Sequence, residues 1–373
     1  MKYYVIAGEA SGHMHAANLI KAIKENDPAA EFRCFGGDKM KEAGAFLFIH
    51  YRDMALMGGI EVLRKYPTIR KNKNLCRRDL LDFKPDLLIL VDYSGFNLPM
   101  ARFAADHGIE VIYYISPKLW AWAKWRVKTI RNSVKKMFVI LPFEVDFYRE
   151  HHVQAEYYGN PVLDSIMAFE GQYKQETDFI TRNNLGKMPI VALLAGSRKQ
   201  EISLLLPEML AAACNYPGYQ FIVAGAPSIQ PEFYKKIIEK TNARVVYDQT
   251  YELLKHSEAA VVTSGTATLE TALLRVPEVV VYKTSAITFF IGNFLVKIKF
   301  FSLVNLILDK PVVKELLQKD LARDIRTELD LLLFDNNYRT KMMNYYTQLR
   351  NVLGEPGVAG RIARRISQIM HTL

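Results

Sequence analysis

Apolar residues along this chain gather into short continuous runs rather than alternating with polar ones. KYYVIA (2–7) is the first, EFRCFGG (31–37) the second, and DLLILVD (86–92), EVIYYIS (110–116) and KMFVILP (136–142) follow. Longer stretches of helical periodicity lie between them, the first from about His13 to Glu25. Continuous apolar strands separated by helices predict a parallel sheet covered on both faces. The pattern then repeats: PIVALLAG (189–196), QFIVAG (220–225), ARVVY (243–247), AAVVTSG (259–265) and VVVYK (279–283) predict a second such sheet. The polar stretch Phe169–Lys187, after the turn Gly159-Asn160-Pro161, separates the halves. The expected organisation is a first domain over 1–168, a second over 188–340, and a basic helical segment over 341–373 free to cross back to the first. The expected fold class is α/β: two doubly wound Rossmann-like domains facing a central cleft. In such sheets the ligand sits outside the carboxyl ends of the strands, so the residues just after each strand are the ones to read.

Composition narrows the class. A chain of 373 residues exceeds one compact core, and 50% apolar with 24% charged residues leaves no room for long disorder. Cys34, Cys76 and Cys214 lie far apart with no Cys-x-x-Cys pair, which argues against a zinc knuckle or disulfide framework and fits a reducing cytosol. The opening MKYYVIAGEASG has too short an apolar run for a signal peptide.

Net charge is +10. Val62–Arg78 carries Arg64, Lys65, Arg70, Lys71, Lys73, Arg77 and Arg78 without an acid, and Pro117–Met137 carries Lys118, Lys124, Arg126, Lys128, Arg131, Lys135 and Lys136 likewise. One such run reads as a solvated face. Two, with the global bias, favour an anionic partner: nucleic acid, an anionic membrane or phosphorylated substrates. The most apolar region, Thr284–Leu308, is interrupted by Lys297 and Lys299. Its uncharged part is shorter than the about 20 residues a span needs, so it is core or lies on a membrane without crossing it.

Candidate chemistry follows the strands. Gly8-Glu9-Ala10-Ser11-Gly12-His13 is either a tight strand-to-helix turn or a loop offering N–H groups and a helix end to an anion. Asp92 stands at a strand mouth, where it serves as general base or caps the next turn; position alone leaves both open. All three tryptophans, Trp120, Trp122 and Trp125, fall in one basic span, which suits a sugar platform, a membrane interface or core packing. Gly196-Ser197-Arg198 ends the first strand of the second half, and the arginine is suited to clamping phosphate oxygens. Ser264, Gly265 and Thr266 open a helix with Glu270 one turn in, either a phosphate loop with a ribose contact or an ordinary N-cap. Asp-x-Asp, His-Glu-x-x-His and G-x-S-x-G motifs are absent, so no metal and no serine nucleophile is expected.

Taken in order, Gly8-Glu9-x-Ser11-Gly12, Asp92 with Phe96-Asn97, Ser116-Pro117-x-x-Trp120-Ala121-Trp122, Leu141-Pro142-Phe143-Glu144, Gly196-Ser197-Arg198, Ser264–Glu270, Ser302-Leu303-x-Asn305-Leu306 and Lys314–Gln318 form a specific set. It resembles the lipid-A-disaccharide synthase family, glycosyltransferases of GT-B architecture, from residue 8 to 318. Two positions depart from the family pattern: His13 stands where the family has Asp, and Ser94 where it has Pro. A histidine also accepts a proton.

The resemblance implies an inverting transfer without a cofactor. The 6-hydroxyl of 2,3-diacylglucosamine 1-phosphate (lipid X) attacks the anomeric carbon of UDP-2,3-diacylglucosamine, UDP leaves, and a β-1,6-linked disaccharide forms. Asp92 is then the expected base, with Arg198 and His13 also in catalysis. Gly196, Ser197, Arg198, Ser264, Gly265, Thr266, Glu270 and Asn305 are the expected donor contacts. Gly8, Glu9, Ser11, Gly12, Trp120 and Trp122 are expected on the acceptor side. Acylated substrates imply a cytoplasmic enzyme lying on the anionic inner-membrane face; no nucleic acid partner is expected, and a homodimer is allowed for. The alternatives weighed are a UDP-N-acetylglucosamine 2-epimerase of similar fold and a basic nucleic-acid-binding protein.

Overall fold

The computed structural model describes residues 1–8, 10–54, 66–173, 176–283, 299–318 and 320–371. The chain divides into two compact units, Met1–Asp164 with Gly354–Leu373, and Ser165–Leu353. The division falls just before the polar stretch 169–187.

The first unit carries β1 (Lys2–Ala7), α1 (Ala10–Asn26), β2 (Glu31–Gly36), α2 (Asp38–Glu42), β3 (Phe46–His50), α3 (Tyr51–Met54), α4 (Tyr66–Phe83), β4 (Leu87–Val91), α5 (Ser94–Asp106) and β5 (Glu110–Tyr114). It continues with α6 (Leu119–Trp122), α7 (Val127–Ser133), β6 (Lys136–Val139), α8 (Glu144–Glu150) and β7 (Ala155–Tyr157). Its seven strands are ordered β3-β2-β1-β4-β5-β6-β7, all parallel. One core lies on each face, as fully apolar strands require: α1 covers one face around Leu19, Ile20 and Ile89, and α4, α5 and α7 cover the other around Leu80, Met100 and Ile130.

After α9 (Val162–Gln172) and α10 (Glu176–Arg182), the second unit carries β8 (Ile190–Leu194), α11 (Lys199–Ala213), β9 (Gln220–Gly225), α12 (Pro231–Ile238), β10 (Arg244–Tyr247), α13 (Thr250–Lys255), β11 (Ser257–Thr263) and α14 (Thr266–Leu273). There follow β12 (Glu278–Tyr282), α15 (Leu303–Leu308), β13 (Lys314–Leu317), α16 (Leu321–Phe334) and α17 (Asn336–Leu353). Six parallel strands are ordered β10-β9-β8-β11-β12-β13. The last helix, α18 (Val358–His371), belongs to the first unit. Its leading N–H groups, Gly357, Val358 and Ala359, donate to the Asp164 carboxylate at 2.6–3.0 Å, and its apolar face closes over α1. Gly354 and Gly357, both at positive φ, break the C-terminal helical stretch in two.

Each sheet reverses direction of growth once, between β1 and β4 in the first and between β8 and β11 in the second. Those switch points are where ligands sit in open α/β sheets. They bring together the mouths of Gly8 with Asp92, and of Gly196 with Ser264.

Candidate active site

In the first unit the chain turns sharply after β4. Asp92 and Tyr93 both adopt left-handed backbone (φ 45° and 46°), and after β5 the β-branched Ile115 does so too (φ 65°). Such residues cost about 1–3 kcal/mol each and persist where surroundings over-determine them. Those surroundings are visible. The Asp92 carbonyl accepts from Asn97 Nδ2 (2.8 Å) and from the Tyr113 hydroxyl, while its N–H donates to Ile115 O (3.0 Å). Asn97 also donates to Val91 O and is fully buried. With the main chain pinned, the Asp92 carboxyl projects at the mouth of β4. Burial pushes its pKa up, opposed by the nearby Lys118 cation and the Tyr93 N–H.

Gly8 is required here because a Cβ would stand 2.2 Å from the Tyr93 ring. Gly12, expected in the loop, and His13, expected at about the helix start, both lie inside α1, which already begins at Ala10. His13 stacks on Tyr51 (centroids 4.9 Å apart). Glu9 lies outside the described residues, as do the side chains of Ser11 and Trp122.

Related to Asp92 through Tyr148 is a carboxylate that sequence reading left among the motif residues without a role. Glu144 opens α8, is 1% exposed, and accepts from Trp120 Nε1 (3.1 Å), Leu141 N (3.1 Å) and Ile140 N (3.3 Å). Ser116 Oγ lies 2.7 Å from the Tyr148 hydroxyl in the same cluster, and Tyr148 senses both Glu144 and Asp92. Desolvation pushes the Glu144 carboxyl up to about 7 despite these donors. The fold thus favours the protonated acid: its stabilisation is complete below the ordinary glutamate range and declines as pH rises to about 7. Tryptophan emission is expected to titrate with a midpoint near neutrality and to lose that midpoint in Glu144→Gln; a titration untouched by the substitution would assign it elsewhere.

Trp120 spends its indole N–H on Glu144 and packs edge-on against Phe143 (5.0 Å). It is Trp125, 74% exposed, that faces solvent.

In the second unit Gly196 turns the chain at φ 102°, and a Cβ there would meet Glu201 Oε2 at 2.6 Å. Glu201 organises the turn: one oxygen accepts Ser197 N (3.3 Å), the other Arg198 Nη1 (3.2 Å). Arg198 is therefore presented at the mouth of β8 already paired, its side chain 54% exposed. At the neighbouring mouth Ser264 Oγ donates to Phe301 O (2.8 Å), and Thr268 Oγ1 to Gly265 O (2.9 Å) at the start of α14. Glu270 accepts from the Tyr251 hydroxyl (2.7 Å), and burial pushes its pKa up.

Asn305, expected among the donor contacts, has its side chain fully engaged within the second unit. It is 1% exposed, and its amide is consumed internally: Nδ2 donates to Val313 O and Glu315 Oε1, and Oδ1 accepts from Val312 N and Val313 N. Glu315 also accepts from Phe301 N and Ser302 N. Asn305 thus ties the segment that braces Ser264 rather than offering its side chain to a donor. Asn305→Ala strands several buried backbone groups and is expected to cost about 3 kcal/mol, read as a fall in Tm of roughly 5–10 °C; an unchanged melting curve would return Asn305 to the ligand-contact role.

Among the described residues no three His, Cys, Asp or Glu side chains gather to hold a metal ion, and no helix is long and apolar enough to cross a membrane. Residues 284–298 of the apolar stretch lie outside the described residues.

Comparison with known proteins adds three findings. The lipid-A-disaccharide synthetase family model matches residues 3–362. The lipid-A-disaccharide synthases of Syntrophus aciditrophicus and Myxococcus xanthus are 40% and 38% identical, over 96% and 98% of this chain and 95% and 97% of theirs. Among solved structures, a UDP-GlcNAc 2-epimerase of Methanocaldococcus jannaschii bound to UDP-GlcNAc and UDP (TM-score 0.68, 13% identity, covering 99% of this chain and all of that one) shares the fold. A calicheamicin glycosyltransferase does so as well (TM-score 0.62, 14% identity, covering all of this chain and 98% of that one).

Proposed function

Because the chain belongs to the lipid-A-disaccharide synthase family and is a glycosyltransferase with UDP-sugar and lipid X substrates, we propose that Asp92 is the base of the transfer and Arg198 the principal stabiliser of the departing UDP. In this reading Asp92 takes the proton of the acceptor 6-hydroxyl as it attacks the anomeric carbon of UDP-2,3-diacylglucosamine. The observation that carries it is the pinned, left-handed Asp92 at the first sheet's switch point, its carboxyl held above the usual range by burial. A base is most effective as its pKa approaches the working pH.

The leaving diphosphate needs preorganised donors. Arg198, Ser197 and the Gly196 turn supply them after β8, and Ser264, Gly265 and Thr266 after β11. Glu270 is assigned to the donor's ribose, Trp120 and Gly8 to shaping the acceptor side, and His13 to a polar contact there. The acyl chains, worth about 0.8 kcal/mol per buried methylene, keep both substrates in a bilayer. We assign docking on an anionic membrane face to the exposed Arg70, Lys71, Arg78, Lys124, Lys128 and Arg131 with Trp125.

The test is an assay of the purified chain with UDP-2,3-diacylglucosamine and lipid X, with and without chelator. Disaccharide and UDP in both conditions are the expected result. Loss with chelator would transfer the leaving-group role to a metal, and epimerisation of UDP-GlcNAc without lipid X would sink the reading.

A further inference from the structure

In the second unit Glu270 stands one turn into α14 with one carboxylate oxygen engaged. Its Oε1 accepts from the Tyr251 hydroxyl at 2.7 Å, and its Oε2 accepts from no described residue. Three elements aim that tyrosine, the second residue of α13. Its ring packs edge-on against Phe169 of α9 (centroids 5.4 Å apart, planes at 77°). The turn before it holds Asp248 at φ 57°. In the same turn Gln249 Oε1 accepts from Arg182 Nη2 (3.1 Å) and Asn183 Nδ2 (2.9 Å) at the end of α10.

The charged groups around this pair are engaged elsewhere. On α13, Glu252 pairs with Arg182 and Lys255 with Glu170. On the elements packed against α14, Glu258 of β11 pairs with Arg339 and Glu278 of β12 faces Tyr346. Arg275, just after α14, donates to Thr347. Burial pushes the Glu270 carboxyl up, and the Tyr251 hydrogen bond pulls against it. Burial and then Glu270 push the Tyr251 hydroxyl up in turn, so it stays protonated and remains a donor. A carboxylate receives the two hydroxyls of a diol only while it is ionised, because protonation turns one of its oxygens into a donor. It must also keep one rotamer. A charge-assisted O–H···O⁻ bond from a fixed ring serves both needs: it favours the ionised form and sets the carboxylate plane.

We propose that Tyr251 is a positioning residue for the donor nucleotide, holding Glu270 ionised and turned so that Oε2 receives a ribose hydroxyl. This rests on the assignment of Glu270 to the donor's ribose. Tyr251 itself touches no part of the nucleotide in this arrangement; it acts through the carboxylate. Phe169 and Gln249 then have a functional consequence as well, since they fix the ring that fixes Glu270.

The test is calorimetry on the full chain with UDP and with 2′,3′-dideoxy-UDP. Tyr251→Phe keeps the ring and its packing and removes the donor. Its affinity for UDP is expected to fall about tenfold, the scale of one hydrogen bond to a charged group. The dideoxy nucleotide, weaker with the wild type, is expected to bind the variant equally well. Glu270→Gln is expected to lose more affinity for UDP and likewise none for the dideoxy nucleotide, and Tyr251→Phe added to it is expected to change nothing further. As pH falls, Tyr251→Phe is expected to converge on Glu270→Gln while the wild type stays above both, because the buried carboxyl has lost its opposing donor; titration of the diphosphate itself is common to all three. Equal losses with both nucleotides, or losses that add in full in the double variant, would reduce Tyr251 to packing and overturn the inference. Tyr251→Phe binding UDP like the wild type, with Glu270→Gln impaired, would overturn it and leave the ribose reading standing. Glu270→Gln without effect on either nucleotide would bring down the ribose reading, and the inference with it.

Discussion

Asp92→Asn is expected to lower kcat by about three orders of magnitude, within the about 10²–10⁴-fold that general-base catalysis contributes, while donor binding stays within about threefold. The substitution is isosteric, and asparagine tolerates the left-handed backbone that position 92 adopts at φ 45°. The Tyr113, Asn97 and Ile115 hydrogen bonds that pin residue 92 run through its main chain and are kept, and an asparagine Oδ1 can still accept from the Tyr93 N–H. What is lost is the proton acceptor. The pH profile adds a second check. The base works deprotonated and its carboxyl is raised by burial, so wild-type kcat/KM should climb with pH through a limb above the ordinary carboxylate range. Near-normal turnover by the variant, with that limb intact, would remove Asp92 from catalysis.

Arg198→Ala is expected to reduce kcat by about 10²–10³-fold, the scale seen when one donor to a developing negative charge is removed. The structure adds a condition. Arg198 is paired with Glu201, which also holds Ser197 N, so a bound diphosphate must compete with that carboxylate for the guanidinium. Exposed pairs of this kind are worth about 0–1 kcal/mol, so the exchange is cheap. Removing the arginine should therefore act on the transition state, with a larger loss in kcat than in donor affinity. Unchanged steady-state kinetics would reduce Arg198 to a surface cation.

The fold was largely readable because its strands are buried on both faces and so appear as unbroken apolar runs. All ten runs that mark strands in the sequence are strands in the structure. The strands missed are β3, β7 and β13, which are short, lie at sheet edges and are half exposed, so their apolar signal is diluted. Strand order depends on pairing between distant segments and leaves no local trace, which is why the switch points emerged only with the sheets. Site residues divide in the same way. Asp92, Arg198 and Ser264 could be placed at strand mouths because the runs before them are plain in the sequence; their roles remain the proposal made above. The internal use of Asn305 was not legible, since four hydrogen bonds to residues seven to ten positions away look in sequence like any polar residue. Nor did LPFE disclose that Glu144 would be desolvated beneath Trp120. Lys73, Arg77 and Arg126 read as members of two exposed basic runs, although they are half-buried where Arg70, Arg78 and Lys128 are exposed.

The helix Val358–His371 completes the core of the first unit, with Asp164 receiving its leading N–H groups. During synthesis the segment from Ser165 to Leu353 is therefore whole before the unit that begins the chain. The amino-terminal sheet leaves the ribosome with the α1 side of its core still lacking Val358, Ile362 and Ile366. Vectorial order is reversed: the piece made first is finished last, sealed only once the helix Val358–His371 has been made.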